Sequence, residues 1–484
     1  MRDRWPAAWQ VFGLAFALRF GMALCLPNLH HPDEIFQSVE QAHRIVFGNG
    51  LVPWEFRTGA RSWLLPGLLM GPMWVGKWLA PGTDLFLWAS QALLAALSAM
   101  TAVVAWWWGR RTGPLHALLA ALVIGIWFEC VHLGAKALSE VVASVFLFTA
   151  TWLCSADTKR GQPARPLLAG LCLGLTLGFR FHLAPAVVFM AWWGCRGLSG
   201  ADRLRLLVAA CIPIVMLGIL DAMTWGEPFA SVTRNVTANL IEGISTRYGT
   251  SSSGWYALQL QLRWDLALPA VLGLAAWRAR WQALPMFVAL LVLISHSFIA
   301  HKEYRFIYPA LPLLLFLAAE GSADACHALA KRLAEPWSAM RWGMVFALMW
   351  ALTSACLAVS EPMMTAWHRA RGGLLLLPAA REAEACGVAI SGLWSWSGGY
   401  SQLHADVPLH LLQESNRPAW NTRAFNAWIT PAAWDEPRGS GYIRKSCQPG
   451  SGSDPDNACL WIRPGNCEPY LPTEAQRVLA AVGD

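Results

Sequence analysis

Residues 8–34 read AWQVFGLAFALRFGMALCLPNLHHPDE. An apolar run from Ala8 to Leu26 gives way at once to His30-His31-Pro32-Asp33-Glu34. About 20 apolar residues carry a helix across the hydrocarbon of a bilayer. The chain is therefore expected to cross a membrane here and to emerge with two imidazoles and two carboxylates at the mouth. The run is read as a retained first span and not a signal peptide.

The polar stretch continues through residues 30–61 as HHPDEIFQSVEQAHRIVFGNGLVPWEFRTGAR. A carboxylate at a membrane mouth can act as general base toward a sugar hydroxyl, and Asp33 and Glu34 are the candidates. Partial burial and neighbouring charge tune such groups. The same residues also suit a helix start, with Asp33 as cap and Glu34 in the first turn of an amphipathic segment through Gln37, Glu40 and Gln41. The two readings are compatible. No metal or other cofactor is expected. His30, His31, Asp33 and Glu34 are too close in sequence to converge readily on one ion, and neither H-x3-H nor H-E-x-x-H spacing occurs.

The chain has 484 residues, 56% of them hydrophobic and only 14% charged. An average soluble domain has about 25% charged residues, which argues against a large soluble α/β core. The net charge of +7 is no sign of nucleic acid, because Lys and Arg gather in short loops as a topology signal does. With Arg2 and Arg4 inside, residues 28–63 form the first outer loop. Residues 62–79 are apolar but broken by Pro66, Gly71 and Pro72, and read as re-entrant or interfacial. Spans follow at 85–108, 114–132 and 137–153, then two apolar halves around Arg180 within 166–195, then 206–222, 264–277, 283–299, 306–319 and 342–359. That makes about eleven spans. Inner segments such as Gly109-Arg110-Arg111, Lys159-Arg160 and Arg278-x-Arg280 carry the basic excess, in accord with the positive-inside rule.

The expected organisation is a membrane domain over 1–360 and an extracytoplasmic domain over 361–484. The tail is rich in Trp, Pro, Gly and Ser, with alternating runs such as 387–394 that suggest a small, partly β domain. Cys386, Cys447, Cys459 and Cys467 lie there without C-x2-C spacing, so up to two disulfides of unknown pairing are expected in place of zinc.

Three further groups could carry chemistry. His301-Lys302-Glu303-Tyr304-Arg305-Phe306 packs four ionisable residues between two apolar spans, where charge is expensive and usually faces a cavity or pairs. Lys302 and Arg305 would share a face on a helical turn and could grip a phosphate; interfacial snorkelling is the plain alternative. Trp54 and Arg61 suit a sugar and its phosphate, or an interfacial anchor. The loop from Asp221 to Gln261 holds a Gly/Ser stretch, 249–254, that reads as a mobile cover or as an ordinary loop, and an Asn235-Val-Thr tripeptide of sequon form.

The motifs together resemble the lipid-phosphate-mannose-dependent α-mannosyltransferases of glycosyltransferase family 22, which serve GPI anchors and N-glycans. His31-Pro32-Asp33-Glu34 with Phe36-Gln37 and Glu40 is similar to that family's first-loop signature, and Arg61-Ser62-Trp63 with Pro66 to its next motif. His301-Lys302-Glu303 with Arg305-Phe306 and Pro309 is similar to its late His-Lys-Glu-x-Arg-Phe motif; Asp221 with Trp225-Gly226 fits more loosely. The middle loop has Ser253-Gly254-Trp255-Tyr256 where eukaryotic members carry a longer His/Trp run, and the Ala-, Arg- and Trp-rich composition points to a bacterial inner membrane, with the endoplasmic reticulum as the other setting.

The resemblance implies an all-α polytopic fold of the GT-C type and inverting transfer of mannose. It implies a polyprenyl- or dolichyl-phosphate-mannose donor and a lipid-linked glycan acceptor. It implies Asp33 as base and Glu34 as a supporting acid, with His31, Trp54, Arg61, Asp221, His301, Lys302, Glu303 and Arg305 as substrate-binding candidates. Membrane lipid is the expected surrounding and nucleic acid is not a partner. A transporter or flippase is the alternative, for which Arg19 and Arg180 would be the ionisable residues deepest in the membrane.

Overall fold

The computed structural model describes residues 7–155, 165–332, 338–412, 423–434, 440–448 and 457–468. Arg2, Arg4, Lys159 and Arg160, used above for topology, lie outside the described residues. The chain divides into two compact units. One joins the segment up to Met22 with Leu93–Met363; the other joins Ala23–Ala92 with the segment from Met364 onward.

The first unit is helical. Across the described chain, Ala8–Cys25, Leu85–Gly109, Gly200–Trp225, Tyr304–Arg332 and Ala339–Ala358 are each long and apolar enough to cross a membrane. Six shorter apolar helices accompany them: Pro114–Ile126, Ser139–Cys154, Pro166–Phe179, Phe181–Gly194, Ala267–Ala279 and Ala283–Ser297. Helices suit lipid because every backbone group is satisfied within the segment. These eleven segments fall where the spans were expected, in a multi-pass membrane protein.

Tyr304–Arg332 is the core helix, with almost every residue through Ala323 buried. Pro166–Phe179 packs on Gly200–Trp225 through two glycines four apart. A Cβ at Gly170 would meet the Leu206 carbonyl oxygen at 2.1 Å, and one at Gly174 the Ala210 oxygen at 2.2 Å. Close backbone approach through small residues is how helices associate where lipid removes the hydrophobic drive.

Arg19, buried in the first helix, serves this packing. It donates to Ser98 Oγ at 3.0 Å and to the carbonyls of Ala15, Ile124 and Gly125 at 2.9–3.0 Å. Its donors bind structural oxygens, which supports a polar staple between helices more than a solute pathway.

The second unit carries the polar loop and the tail. After Asp33-Glu34 the chain makes a π-helical turn, Ile35–Val39, which runs into the helix Glu40–Phe47. Gly48, at φ 96°, ends it. A short helix, Trp54–Arg57, and a proline-containing helix, Leu64–Leu79, follow. Leu65, Leu69, Met73 and Gly76 line the buried face of the latter, while Trp74, Val75, Trp78 and Leu79 are exposed. That open apolar face fits an interfacial helix.

The tail forms a five-stranded mixed sheet from β1 (Val388–Ser391), β2 (Leu409–Leu412), β3 (Ala427–Pro431), β4 (Ile443–Gln448) and β5 (Ala458–Ile462), in the order β2-β1-β3-β5-β4. β1 is parallel to both β2 and β3; β5 runs antiparallel to β3 and β4. All four β1 side chains are buried, as a central parallel strand requires. The tail cysteines pair as Cys386–Cys467 and Cys447–Cys459, the latter across the β4/β5 ladder.

Candidate active site

In the second unit, Pro32 starts a turn that aims Asp33 and Glu34 differently. The Glu34 carboxylate is buried and accepts the backbone N–H groups of His30 at 2.6 Å and His31 at 3.0 Å. It closes the turn from within, so its part is to hold the loop. The Asp33 side chain is 20% exposed, its oxygens 3.3 Å from His31 Nδ1 and 3.7 Å from Arg61 Nη2. The Asp33 N–H also donates to His31 Nδ1 at 3.2 Å. The π-helical turn that follows starts at Glu34, whose side chain makes no cap bond to it.

Arg61 also donates to Gln37 Oε1, and Gln37 Nε2 donates to Glu55 Oε1 at 2.7 Å. Burial pushes the Glu55 carboxyl up to about 7; the Asp33 charge adds to this and Arg61 opposes it. Asp33, Arg61, Gln37 and Glu55 thus form one hydrogen-bonded and ion-paired chain. Sequence reading singled out Trp54 and passed over Glu55. Trp54 starts the short helix that carries Glu55 and is itself partly exposed. The signal for Glu55 was a lone acid between aromatics, too common to stand out.

Behind this chain lies Glu40, wholly buried. Its carboxylate accepts the N–H groups of Leu51, Tyr400 and Ser401 at 2.8–2.9 Å. Burial raises its carboxyl to about 7, against the pull of those bonds. Gly399, at φ 58°, leaves room for it: a Cβ there would lie 2.7 Å from Glu40 Oε1. His43 Nδ1 donates to the Asn49 carbonyl at 2.9 Å, which leaves Nε2 to accept from His404 Nδ1 at 3.0 Å. Burial lowers His43 to about 4 and also lowers His404.

In the first unit a second polar group forms around residues 301–305. His301 Nε2 lies 3.0 Å from Glu303 Oε1, a contact that raises the imidazole pKa. The Lys302 ammonium donates to the carbonyls of Ile299 and Ser251. Arg305 pairs with Glu303 and lies 3.9 Å from Glu140, which Arg180 meets at 3.1 Å. Both guanidiniums stand over the Phe306 ring. Residues 301–303 are not helical and helix begins at Tyr304, so Lys302 and Arg305 do not share the helical face that their spacing suggested. Arg305 and Arg180 thus gather on Glu303 and Glu140, with the Lys302 ammonium held on two carbonyls of the same region.

The Gly/Ser stretch is tied to this group. Besides Lys302, His301 reaches the Gly249 carbonyl at 3.0 Å and Ser251 N–H donates to Ala300 O at 3.0 Å. Asp221 is buried and accepts from Ser231 N and Oγ at 2.9 and 2.6 Å, pinning the turn after Gly200–Trp225. Asn235 of the sequon is buried within the helix Ala230–Val236. Among the described residues no cluster of three or more His, Cys, Asp or Glu could hold a metal ion.

Helices of this number with a small mixed tail domain define a GT-C glycosyltransferase fold. ArnT from Cupriavidus metallidurans, solved bound to undecaprenyl phosphate, matches with a TM-score of 0.56 at 12% identity, over 96% of this chain and 98% of that one. A sequence model of the Alg9-like mannosyltransferase family matches residues 10–372, and the chain belongs to that family, glycosyltransferase family 22. GPI mannosyltransferase 3 of Yarrowia lipolytica is 29% identical over 66% of this chain and 63% of its own length. GPI mannosyltransferase 3 of Drosophila melanogaster is 26% identical over 77% of this chain and 64% of its own. The chain thus matches a little under two thirds of the length of these relatives.

Proposed function

We propose that the protein transfers mannose from a polyprenyl- or dolichyl-phosphate-mannose donor to a hydroxyl of a lipid-linked glycan, with inversion to an α-linkage, at the outer face of its membrane. The observation that carries this reading is the partly exposed Asp33 carboxylate, set between His31 and Arg61 at the end of the first span of a family 22 chain. Asp33 takes the proton of the acceptor hydroxyl. The oxygen attacks the anomeric carbon from the side opposite the phosphate, and the anomeric C–O bond breaks. Lipid phosphate leaves as a phosphomonoester with the electron pair. Base and leaving group on opposite faces of the sugar give inversion, as in inverting glycosidases.

The first-unit group of Lys302, Arg305 and Arg180 suits the donor phosphate, with His301 and Glu303 orienting it. The outer setting is supported by the two disulfides, which belong to the same compact unit as Asp33 and persist where thiols are oxidised. The test is transfer of labelled mannose from a polyprenyl-phosphate donor in EDTA, by wild type and Asp33→Asn. Transfer by wild type alone is the expected result. Equal turnover by Asp33→Asn would falsify the assignment of the base, and no transfer by either would overturn the donor class.

A further inference from the structure

Arg369 precedes Ala370, which at φ 62° and ψ 11° holds the left-handed conformation that residues with a side chain rarely adopt. Neighbours enforce it. Leu29 N–H donates to Arg369 O at 3.1 Å, and Arg369 Nη1 donates to His30 O at 3.3 Å. Arg369 is thereby fixed against the residues that lead into Asp33. Its guanidinium lies 5.6 Å from the ring centroid of Trp396. The Trp396 ring meets His31 edge to face, 6.5 Å between centroids, and Trp396 stays partly exposed.

Trp396 sits on the turn that leaves the carboxyl end of β1. The parallel neighbours β2 and β3 lie on either side of that strand, so the strand order reverses there. In open α/β sheets the crevice outside the carboxyl ends at such a switch point is where ligands bind. The turn is held at both ends. A Cβ at Gly373 would stand 2.6 Å from the Trp396 carbonyl oxygen, and Glu40 binds the N–H groups of Tyr400 and Ser401.

We infer that Trp396 and Arg369 form a subsite for the acceptor glycan, the indole taking a sugar ring and the guanidinium a hydroxyl or anionic substituent of the same glycan. The inference rests on Asp33 being the base. A base must reach the hydroxyl it deprotonates, so groups packed against His30 and His31 face the sugar that bears that hydroxyl and not the donor's lipid phosphate. A flat aromatic surface beside one charged group is the usual lining of a ligand site.

The test titrates a synthetic glycolipid ending in α-mannose onto the purified full-length chain and measures donor and acceptor kinetics in parallel. Trp396→Ala is expected to weaken glycolipid binding and raise acceptor KM by about tenfold. Donor KM and kcat should hold, and Trp396→Phe should recover part of the loss. Asp33→Asn should bind the glycolipid normally and transfer nothing. Wild-type binding by both Trp396 variants, no glycolipid binding by wild type, or a loss confined to donor KM would each overturn the subsite. Normal transfer by Asp33→Asn would overturn the base alone, and the subsite is then judged on binding. If Trp396→Ala does not fold, Trp396→Phe and Arg369→Gln carry the same test.

Discussion

Glu40 and Ser401 stand 361 residues apart, and the buried carboxylate of the first accepts the backbone N–H of the second at 2.8 Å. Tyr400 N–H binds the same carboxylate at 2.9 Å. The loop that carries Asp33 is therefore braced by the sheet domain of the tail. Arg381 adds a two-pronged pair to Asp84, at 2.9 and 3.2 Å, within the same unit.

Lys302 and Asp33 should fail in different ways. Lys302→Ala should raise donor KM roughly ten- to a hundredfold, the scale of a lost charged hydrogen bond, and leave acceptor KM in place. Asp33→Asn should lower kcat by roughly 10²–10⁴ with both KM values near wild type. Steady-state kinetics with each substrate varied in turn separates the two; an acceptor KM effect in Lys302→Ala would contradict its role.

Glu55 should make stability depend on pH. Its pKa in the folded protein is about 7, above the ordinary value of 4.5. The folded state then holds the proton that the unfolded state releases, so its contribution is full below about 4.5 and is lost as pH rises through 7. The difference in Tm between Glu55→Gln and wild type should shift in favour of the variant between pH 5 and 8. A flat difference would show that Glu55 titrates normally.

His43 should act in the opposite sense. Its pKa is lowered to about 4 from 6.5, so its contribution is present above 6.5 and lost as pH falls through 4. His404, Lys77 and Arg381 add positive charge around the pair, and Asp84 opposes them. Protection against hydrogen exchange at the Asn49 end of the helix Glu40–Phe47, with the slower intrinsic rate at low pH divided out, should fall on acidification from pH 6.5 to 4.5. His43→Asn should remove much of that pH dependence.

The two disulfides should differ in weight. Cys386–Cys467 closes 81 residues and Cys447–Cys459 only 12. Chain entropy gives about 4.5 kcal/mol for the longer loop and about 3 kcal/mol for the shorter. Cys386→Ser with Cys467→Ser should lower the midpoint of chemical unfolding of the tail more than Cys447→Ser with Cys459→Ser. The reverse order would point to native-state packing as the larger effect.

Much of the candidate site is proposed from the chain itself, because Asp33, Arg61, His301, Lys302 and Arg305 stand out as charges at the ends of apolar runs. Other parts were not. Gln37, Glu40 and Gln41 read as the wet face of an amphipathic helix, yet all three are buried. Lys302 and Arg305 read as neighbours on a helix, and the helix start at Tyr304 takes them off a common face. Glu140 and Arg180 lie far apart along the chain, and the fold joins them at 3.1 Å.

The sequence alone determined the membrane helices, since a segment that must satisfy its backbone in lipid needs length and apolarity, both local properties. It also determined the residue types at the membrane mouth and, through its motifs, the family. Only the tertiary structure decided that Glu34 turns inward while Asp33 looks out, which cysteines pair, and that Trp396 and Arg369 stand beside His30 and His31. Those relations join residues that can lie hundreds of positions apart, and contacts over such separations leave no periodicity or spacing in the chain to be read.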